Sequence, residues 1–252
     1  MKAVVLAGGE GVRLRPLTYS IPKPLLPIGR RPILEIIIER LREHGFGDII
    51  LNVGYKAELI EAYFRDGRTM DVNITYFRDD KPCGTCGPVK LVEHLLDSEA
   101  FITMNGDLLT DLDFSRMYQI HVSSSAEVTV AVKNYSIKLP YGVVDIKGNR
   151  IASIREKPKL EFLINAGIYV LSPSALEIIP EDEFFDMTDL IQALIDQRRK
   201  VEAYCIDCEW QDLGTMESYQ EVNEAYLEIQ GHPISHLLDR GEHLESVNRI
   251  FT

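Results

Sequence analysis

Leu6-Ala7-Gly8-Gly9-Glu10-Gly11-Val12-Arg13-Leu14-Arg15-Pro16-Leu17-Thr18, followed by Pro22-Lys23-Pro24-Leu25-Leu26-Pro27, sets a glycine-rich loop after the apolar strand Ala3–Leu6. Glycine permits φ > 0 and has no side chain to block an approaching ligand, so the loop can bring several backbone N–H groups up to a polyphosphate. Arg13, Arg15 and Lys23 add three cations within reach of whatever the loop holds. The chemistry implied is that of a nucleoside triphosphate.

Outward from this stretch, strand-like runs alternate with helical patterns. Pro32–His44 carries a wide helical stripe (Ile33, Leu34, Ile36, Ile37, Ile38, Leu41), and is followed by a strand over Asp48–Val53 and a short helix over Ala57–Phe64. A strand Asn73–Phe77, a helix Pro88–Leu96 and a strand Phe101–Asn105 continue the rhythm. Such alternation implies a mostly parallel sheet with helices on both faces and ligands at the carboxyl ends of its strands. The second half is richer in strands: Glu127–Val132, Gly142–Ile146, Ile151–Arg155, Ala166–Leu171 and Val201–Ile206, with a hairpin around Lys147-Gly148-Asn149. Helices are expected over Pro173–Ile178, Thr188–Arg198 and Met216–Ile229, and periodicity weakens after Gln230.

The 252 residues suffice for one large α/β domain, and 45% apolar with 26% charged residues describes an ordinary globular chain. A net charge of −12 argues against binding nucleic acid or anionic lipid, so the loop cations stand out locally. Met1-Lys2 leads straight into the first strand, and no run reaches the ~18 apolar residues that span a bilayer, so the cytoplasm is the expected compartment. Cys83-Gly84-Thr85-Cys86 and Cys205-Ile206-Asp207-Cys208 are CxxC pairs, but they lie too far apart for a zinc site, whose pairs sit about 15 to 20 residues apart. They are expected to be small packing residues in a reducing compartment.

A dinucleotide GxGxxG motif would need Gly where Leu14 stands, no Lys-Ser or Lys-Thr closes a Walker-type loop, and the protein-kinase motifs have no counterpart. What the chain does carry, in order, is GGxGxRLxPLT, PKPLLPI, Pro82-Cys83-Gly84-Thr85, Asn105-Gly106-Asp107, Glu156-Lys157-Pro158, Asn165-Ala166-Gly167 and Trp210-Gln211-Asp212-Leu213-Gly214-Thr215. Through these motifs the chain resembles the sugar-1-phosphate nucleotidylyltransferases, from Met1 to about Tyr226. The resemblance implies an α/β fold with a mixed, mostly parallel Rossmann-like sheet. It implies one nucleotidyltransferase domain over 1–230, with a nucleotide-binding half of about 1–110, a sugar-binding half of about 111–230, and an appended segment, 231–252.

The implied reaction is attack by a sugar-1-phosphate oxygen on the α-phosphorus of a nucleoside triphosphate, with release of pyrophosphate. Two anions must meet, so cations and a metal come before any acid or base. By resemblance, Arg13 stabilises the transferring phosphate, Lys23 grips the α-phosphate, and Arg15 supports them from the rim. Leu6, Ala7, Gly8, Gly9, Gly11, Gly84 and Thr85 join Arg13 and Lys23 as nucleotide-binding residues. Asp107 and Asp212 hold Mg²⁺, a cation that takes hard oxygen ligands. Asp107 and Lys157 complete the catalytic set with Arg13 and Lys23. Lys157, held extended by Pro158, pairs with the sugar phosphate, Glu156 accepts sugar hydroxyls, and Gly142, Asn165 and Gly167 approach the sugar. Asn165 also reads as a backbone-capping amide, and Gly142 as no more than the start of a strand.

The base is read at Asp79, which stands five residues before Gly84, where uracil- and thymine-using relatives carry Gln. A carboxylate accepts and does not donate, which suits the N1–H and amino group of guanine. GTP is therefore expected, unless a one-residue shift gives the role to Asp80. Mannose 1-phosphate or a manno-heptose 1-phosphate would then be the partner substrate. CTP or UTP with glucose 1-phosphate is the alternative, and a silent nucleotide-sugar-sensing subunit is the rival of another class. Cys83 and Cys86 stand where relatives often carry Leu and Ala, and the long left-handed β-helix that many relatives carry is not expected in these 252 residues. A homo-oligomer, in the simplest case a dimer, is compatible with the sequence.

Overall fold

The first strand, β1 (Lys2–Ala7), ends where the glycine loop begins. Two short strands, β2 (Pro27–Ile28) and β3 (Arg31–Pro32), pair before the helix α1 (Ile33–Glu43) that the apolar stripe predicts. Then β4 (Asp48–Val53), α2 (Ala57–Phe64), β5 (Asn73–Arg78), α3 (Gly87–Leu91) and β6 (Phe101–Asn105) continue the alternation. The second half supplies β7 (Leu108–Thr110), α4 (Phe114–Ser124), β8 (Val128–Lys138), β9 (Val143–Lys147), β10 (Arg150–Arg155), β11 (Lys159–Leu171), α5 (Met187–Asp196), β12 (Val201–Ile206), β13 (Trp210–Asp212) and α6 (Met216–Ile229). This is a computed structural model; it describes residues 1–78, 83–181 and 183–229, with side chains through 226.

Seven strands form one sheet in the order β12-β8-β11-β6-β1-β4-β5. Four of its pairings are parallel, and β11 runs antiparallel to both neighbours, so the sheet is the expected mixed, mostly parallel one. Successive side chains of a strand point to opposite faces, and β1 shows the result. Ala3, Val5 and Ala7 pack with Leu34, Ile38, Ile60 and Phe114 on one side, while Val4 packs with Val89, Leu176, Leu190 and Leu194 on the other. Helices therefore cover both faces, as two buried cores divided by the sheet. Among the described residues no helix is long and apolar enough to cross a membrane.

Several expected boundaries shift. The Pro88–Leu96 helix ends at Leu91 and gives way to a 3-10 turn at Glu93–Leu95, and Pro173–Ile178 is 3-10 rather than α. Helix α4 has a mostly polar sequence that hides it; its start is fixed by Asp113, whose carboxylate accepts the Arg116 N–H at 2.9 Å. Strands β8 and β11 run far beyond the expected segments, to Lys138 and from Lys159, as a two-stranded arm that leads into the β9–β10 hairpin. Polar and charged residues interrupt its pattern, and Tyr135, Ile146, Ile151, Ile154 and Leu163 remain exposed on it. Cys86 is buried and its thiol is pushed up to about 12, first by desolvation; Cys208 is half-buried, but Cys205 is exposed rather than packed.

Candidate active site

The parallel register places Leu6 between Asn52 of β4 and Asn105 of β6, all at the carboxyl ends of their strands. Above this edge lies a cavity of about 740 Å³, and the glycine loop forms one wall of it. Leu6, Ala7, Gly8, Gly9, Gly11, Arg13, Lys23, Gly84, Thr85 and Asp107 all line the cavity, as do Glu10 and Asn105 from within the motifs and Asn52, Gly54 and Tyr55, which the motifs did not single out. The signal for these was positional: residues that follow a parallel strand face the ligand edge.

Gly11 turns the loop at φ +62°, and a Cβ there would lie 2.9 Å from the Thr18 methyl, so only glycine lets the chain fold back on itself. The Gly11 carbonyl then accepts from the Thr18 hydroxyl (2.9 Å) and the Leu14 N–H (2.9 Å). That turn presents Arg13 and Lys23 to the same end of the cavity. Lys23 is only 8% exposed, and its ammonium pairs with Asp107 Oδ2. The other oxygen, Asp107 Oδ1, is buried and has no hydrogen-bond partner.

Asp212 arrives from the far end of the chain. Strand β13 pairs antiparallel with β7, setting Asp212 opposite Leu108, and the Leu213 N–H donates to the Asp107 carbonyl at 3.1 Å. Asp212 does not line the cavity; it borders the Arg13 guanidinium across Gly214, where a Cβ would sit 2.9 Å from Asp212 Oδ1 and 3.1 Å from Arg13 Nη2. Partial desolvation and then the Asp107 carboxylate hold the Asp212 carboxyl above the ordinary aspartate value, against the pull of Lys23 and Arg13. Two carboxylates and two cations thus converge, with Arg13, Lys23 and Asp107 on the cavity lining and Asp212 next to it. Arg15 does not join them: it does not line the cavity, pairing instead with Glu10 at 3.1 Å and lying over the Tyr19 ring.

Also on the cavity lining, Gly84 takes φ +81°, and a Cβ there would meet the Phe185 carbonyl at 2.5 Å. Its bareness accommodates a loop of the same chain. Thr85 lines the cavity, but its N–H (2.9 Å) and hydroxyl (3.1 Å) both donate to Asp186 Oδ1, so its polar groups are engaged within the protein. Asp79 and the alternative Asp80 lie outside the described residues, as does the segment 231–252.

The expected sugar residues do not line this cavity. Gly167 faces Asn105 across the β6–β11 ladder, with its N–H held by Asn165 Oδ1 at 3.0 Å, so Asn165 does serve as a backbone cap. Gly142, Glu156 and Lys157 sit on the exposed arm, where a Cβ on Gly142 would be 3.0 Å from Glu156 Oε2. Lys157 is not extended as expected but has φ +44°. Three residues must reverse the chain between β10 and β11, and Pro158 disfavours only the right-handed helical region before it. Among the described residues no group of three or more His, Cys, Asp or Glu is arranged to hold a metal ion.

Comparison with known proteins bears on the whole of this framework. The nucleotidyl transferase family model matches residues 2–229. The UTP–glucose-1-phosphate uridylyltransferase of Synechocystis is 36% identical over 238 residues, 87% of this chain and 61% of that protein. The mannose-1-phosphate guanyltransferase of Saccharomyces cerevisiae is 34% identical over 238 residues, 90% of this chain and 65% of that one. The chain therefore spans less than two thirds of the length of these two curated relatives. The crystal structure of HddC from Yersinia pseudotuberculosis complexed with GMP-PN superposes with a TM-score of 0.69 at 27% identity, covering 89% of this chain and 99% of that one. With its strand order, glycine loop and paired carboxylates all contained in the matched span, the chain belongs to the nucleotidyl transferase family.

Proposed function

We propose that the protein transfers a nucleotidyl group from a nucleoside triphosphate to a sugar 1-phosphate and releases pyrophosphate. The observation that carries this reading is the convergence of Arg13, Lys23 and Asp107 on the lining of the cavity beside the glycine loop, with Asp212 bordering Arg13. The loop amides take the triphosphate, and Lys23 brings its ammonium to the α-phosphate. A sugar-phosphate oxygen attacks the α-phosphorus, the bond to the β-phosphate oxygen breaks, and pyrophosphate leaves. The attacking oxygen is already ionised, so no base is required; the barrier lies in bringing anions together, and Arg13 and Lys23 lower it by charge.

The buried, unpartnered Asp107 Oδ1 beside the Asp212 carboxylate suits a hard divalent cation. Asp107 and Asp212 would hold Mg²⁺, and the ion, when bound, would neutralise phosphate charge. Glu156, Lys157, Gly142, Asn165 and Gly167 would receive the sugar phosphate, placing the nucleotide half at about 1–110 and the sugar half at about 111–230.

The carboxylate of Asp79 and the guanyltransferase relatives favour GTP with mannose 1-phosphate or a manno-heptose 1-phosphate. UTP with glucose 1-phosphate is the second reading, favoured by the Synechocystis relative. Pyrophosphate release with Mg²⁺, measured over four nucleotides and a panel of sugar 1-phosphates, tests both. Turnover with UTP and none with GTP removes the Asp79 argument. Tight nucleotide-sugar binding with no turnover in any pair would instead identify a sensing subunit.

A further inference from the structure

Phe184 is 64% exposed although it lines the candidate nucleotide cavity, beside Cys83, Gly84, Thr85 and Pro88. Its neighbour Phe185 packs against the core, so the two adjacent rings are divided between interior and cavity. The segment that carries them comes from the second half of the chain, yet it is fastened to the Cys83–Gly87 wall. The Phe185 N–H donates to the Cys83 carbonyl (3.0 Å), and the Phe185 carbonyl accepts from the N–H groups of Cys86 (3.0 Å) and Gly87 (3.2 Å). Asp186 Oδ1 accepts from the Thr85 N–H, and the Met187 N–H donates to the Thr85 hydroxyl at 2.9 Å. A ring on a backbone pinned this way loses little freedom when a ligand covers it.

Leu14 and Leu26, which flank the cations, pack into the core on one face of the sheet, and Cys86 and Val89 of this wall into the core on the other, so a nucleoside whose phosphates reach Arg13 and Lys23 extends its base across the sheet edge toward this wall. We propose that Phe184 is the base-stacking residue of the nucleotide site. The inference rests on the reading that the cavity takes a nucleoside triphosphate. Every base has a π face, so a stacking ring supplies affinity without choosing among bases, and the choice is left to hydrogen-bonding groups. Stacking is worth about 1–3 kcal/mol per base, which corresponds to about five- to 150-fold in affinity.

Calorimetric titration of the whole protein with GTP and with UTP, for wild type, Phe184→Ala and Phe184→Trp, tests the assignment. Phe184→Ala should weaken both nucleotides by a similar factor of about tenfold, with an unchanged melting temperature and an unchanged KM for the sugar 1-phosphate wherever there is turnover. Phe184→Trp should bind like wild type and show a nucleotide-quenched fluorescence component beyond that of Trp210. Binding of both nucleotides by Phe184→Ala within twofold of wild type overturns the proposal, and so does a loss confined to one base. A wild type that binds nucleotide but turns over no substrate pair sinks the transferase reading and leaves Phe184 judged on binding alone. A wild type that binds neither nucleotide overturns both.

Discussion

Lys23 and Asp107 hold each other in a partly buried ion pair, and Asp212 adds a second carboxylate whose neutral form burial favours. Removing one member of such a cluster leaves the others uncompensated, a cost set by desolvation more than by the lost attraction. Lys23→Met should therefore destabilise the protein by about 1–3 kcal/mol, because two neighbouring carboxylates lose their nearest buried cation. Asp107→Asn keeps the shape and removes one charge, so its melting temperature should stay close to wild type while pyrophosphate release falls about 10³-fold. The double variant should regain most of the stability lost in Lys23→Met and none of the activity. Thermal melts and a pyrophosphate assay on the four proteins check this. Near-normal turnover by Asp107→Asn would contradict the site assignment.

At the scale of elements, two contacts join parts of the chain that lie far apart in sequence. Asp186 precedes α5 and also accepts both Thr85 donors, while its own N–H donates to Asp189 Oδ2 at 2.9 Å. Asp186→Ala should cost about 1–2 kcal/mol and speed amide exchange at Thr85; protection equal to wild type would show that the wall stands without it. His121 of α4 is 1% exposed and lies between the hydroxyls of Thr129 on β8 (2.8 Å) and Ser172 (3.1 Å). Burial lowers its pKa below the usual 6.5, although the nearby carboxylates of Glu202 and Glu127 pull the other way. As pH falls below about 6.5, the unfolded chain takes up a proton that the folded protein refuses, so stability drops from there toward the folded-state value. His121→Gln should shrink the difference between urea midpoints at pH 7.5 and pH 5.5. An unchanged difference would place the slope elsewhere.

Across the whole molecule, stability resides in the two cores and the exposed arm contributes little to it. Phe114 is fully buried against the central sheet, whereas Ile151 lies exposed on the β9–β10 hairpin. Phe114→Ala should cost about 3–5 kcal/mol and Ile151→Ser no more than about 0.5 kcal/mol in urea unfolding. The same contrast explains what could be read in advance. The apolar runs of β1, β4 and β6, buried on both faces, and the α1 stripe state their elements in local sequence, because burial demands an unbroken apolar run in the strands and a 3.6-residue period in the helix. The arm has no such demand, so although its β9–β10 hairpin is legible, the full lengths of β8 and β11 are not. The site divides in the same way. Gly8 to Lys23 is a local feature: its glycines and cations point to a phosphate-holding loop from composition and spacing alone. That Asp212 meets Asp107, and that Phe184 faces the cavity, depends on the three-residue pairing of β7 with β13 and on the docking of 183–187 against 83–87. Segments so short carry no period to read, and contacts between residues about a hundred positions apart form only once the cores have fixed where each segment ends. The sequence by itself determined the mostly parallel sheet and most of its covering helices, and through its motifs it named Asp107 and Asp212 together; the tertiary structure alone decided how these carboxylates meet and which further side chains, Phe184 among them, face the cavity.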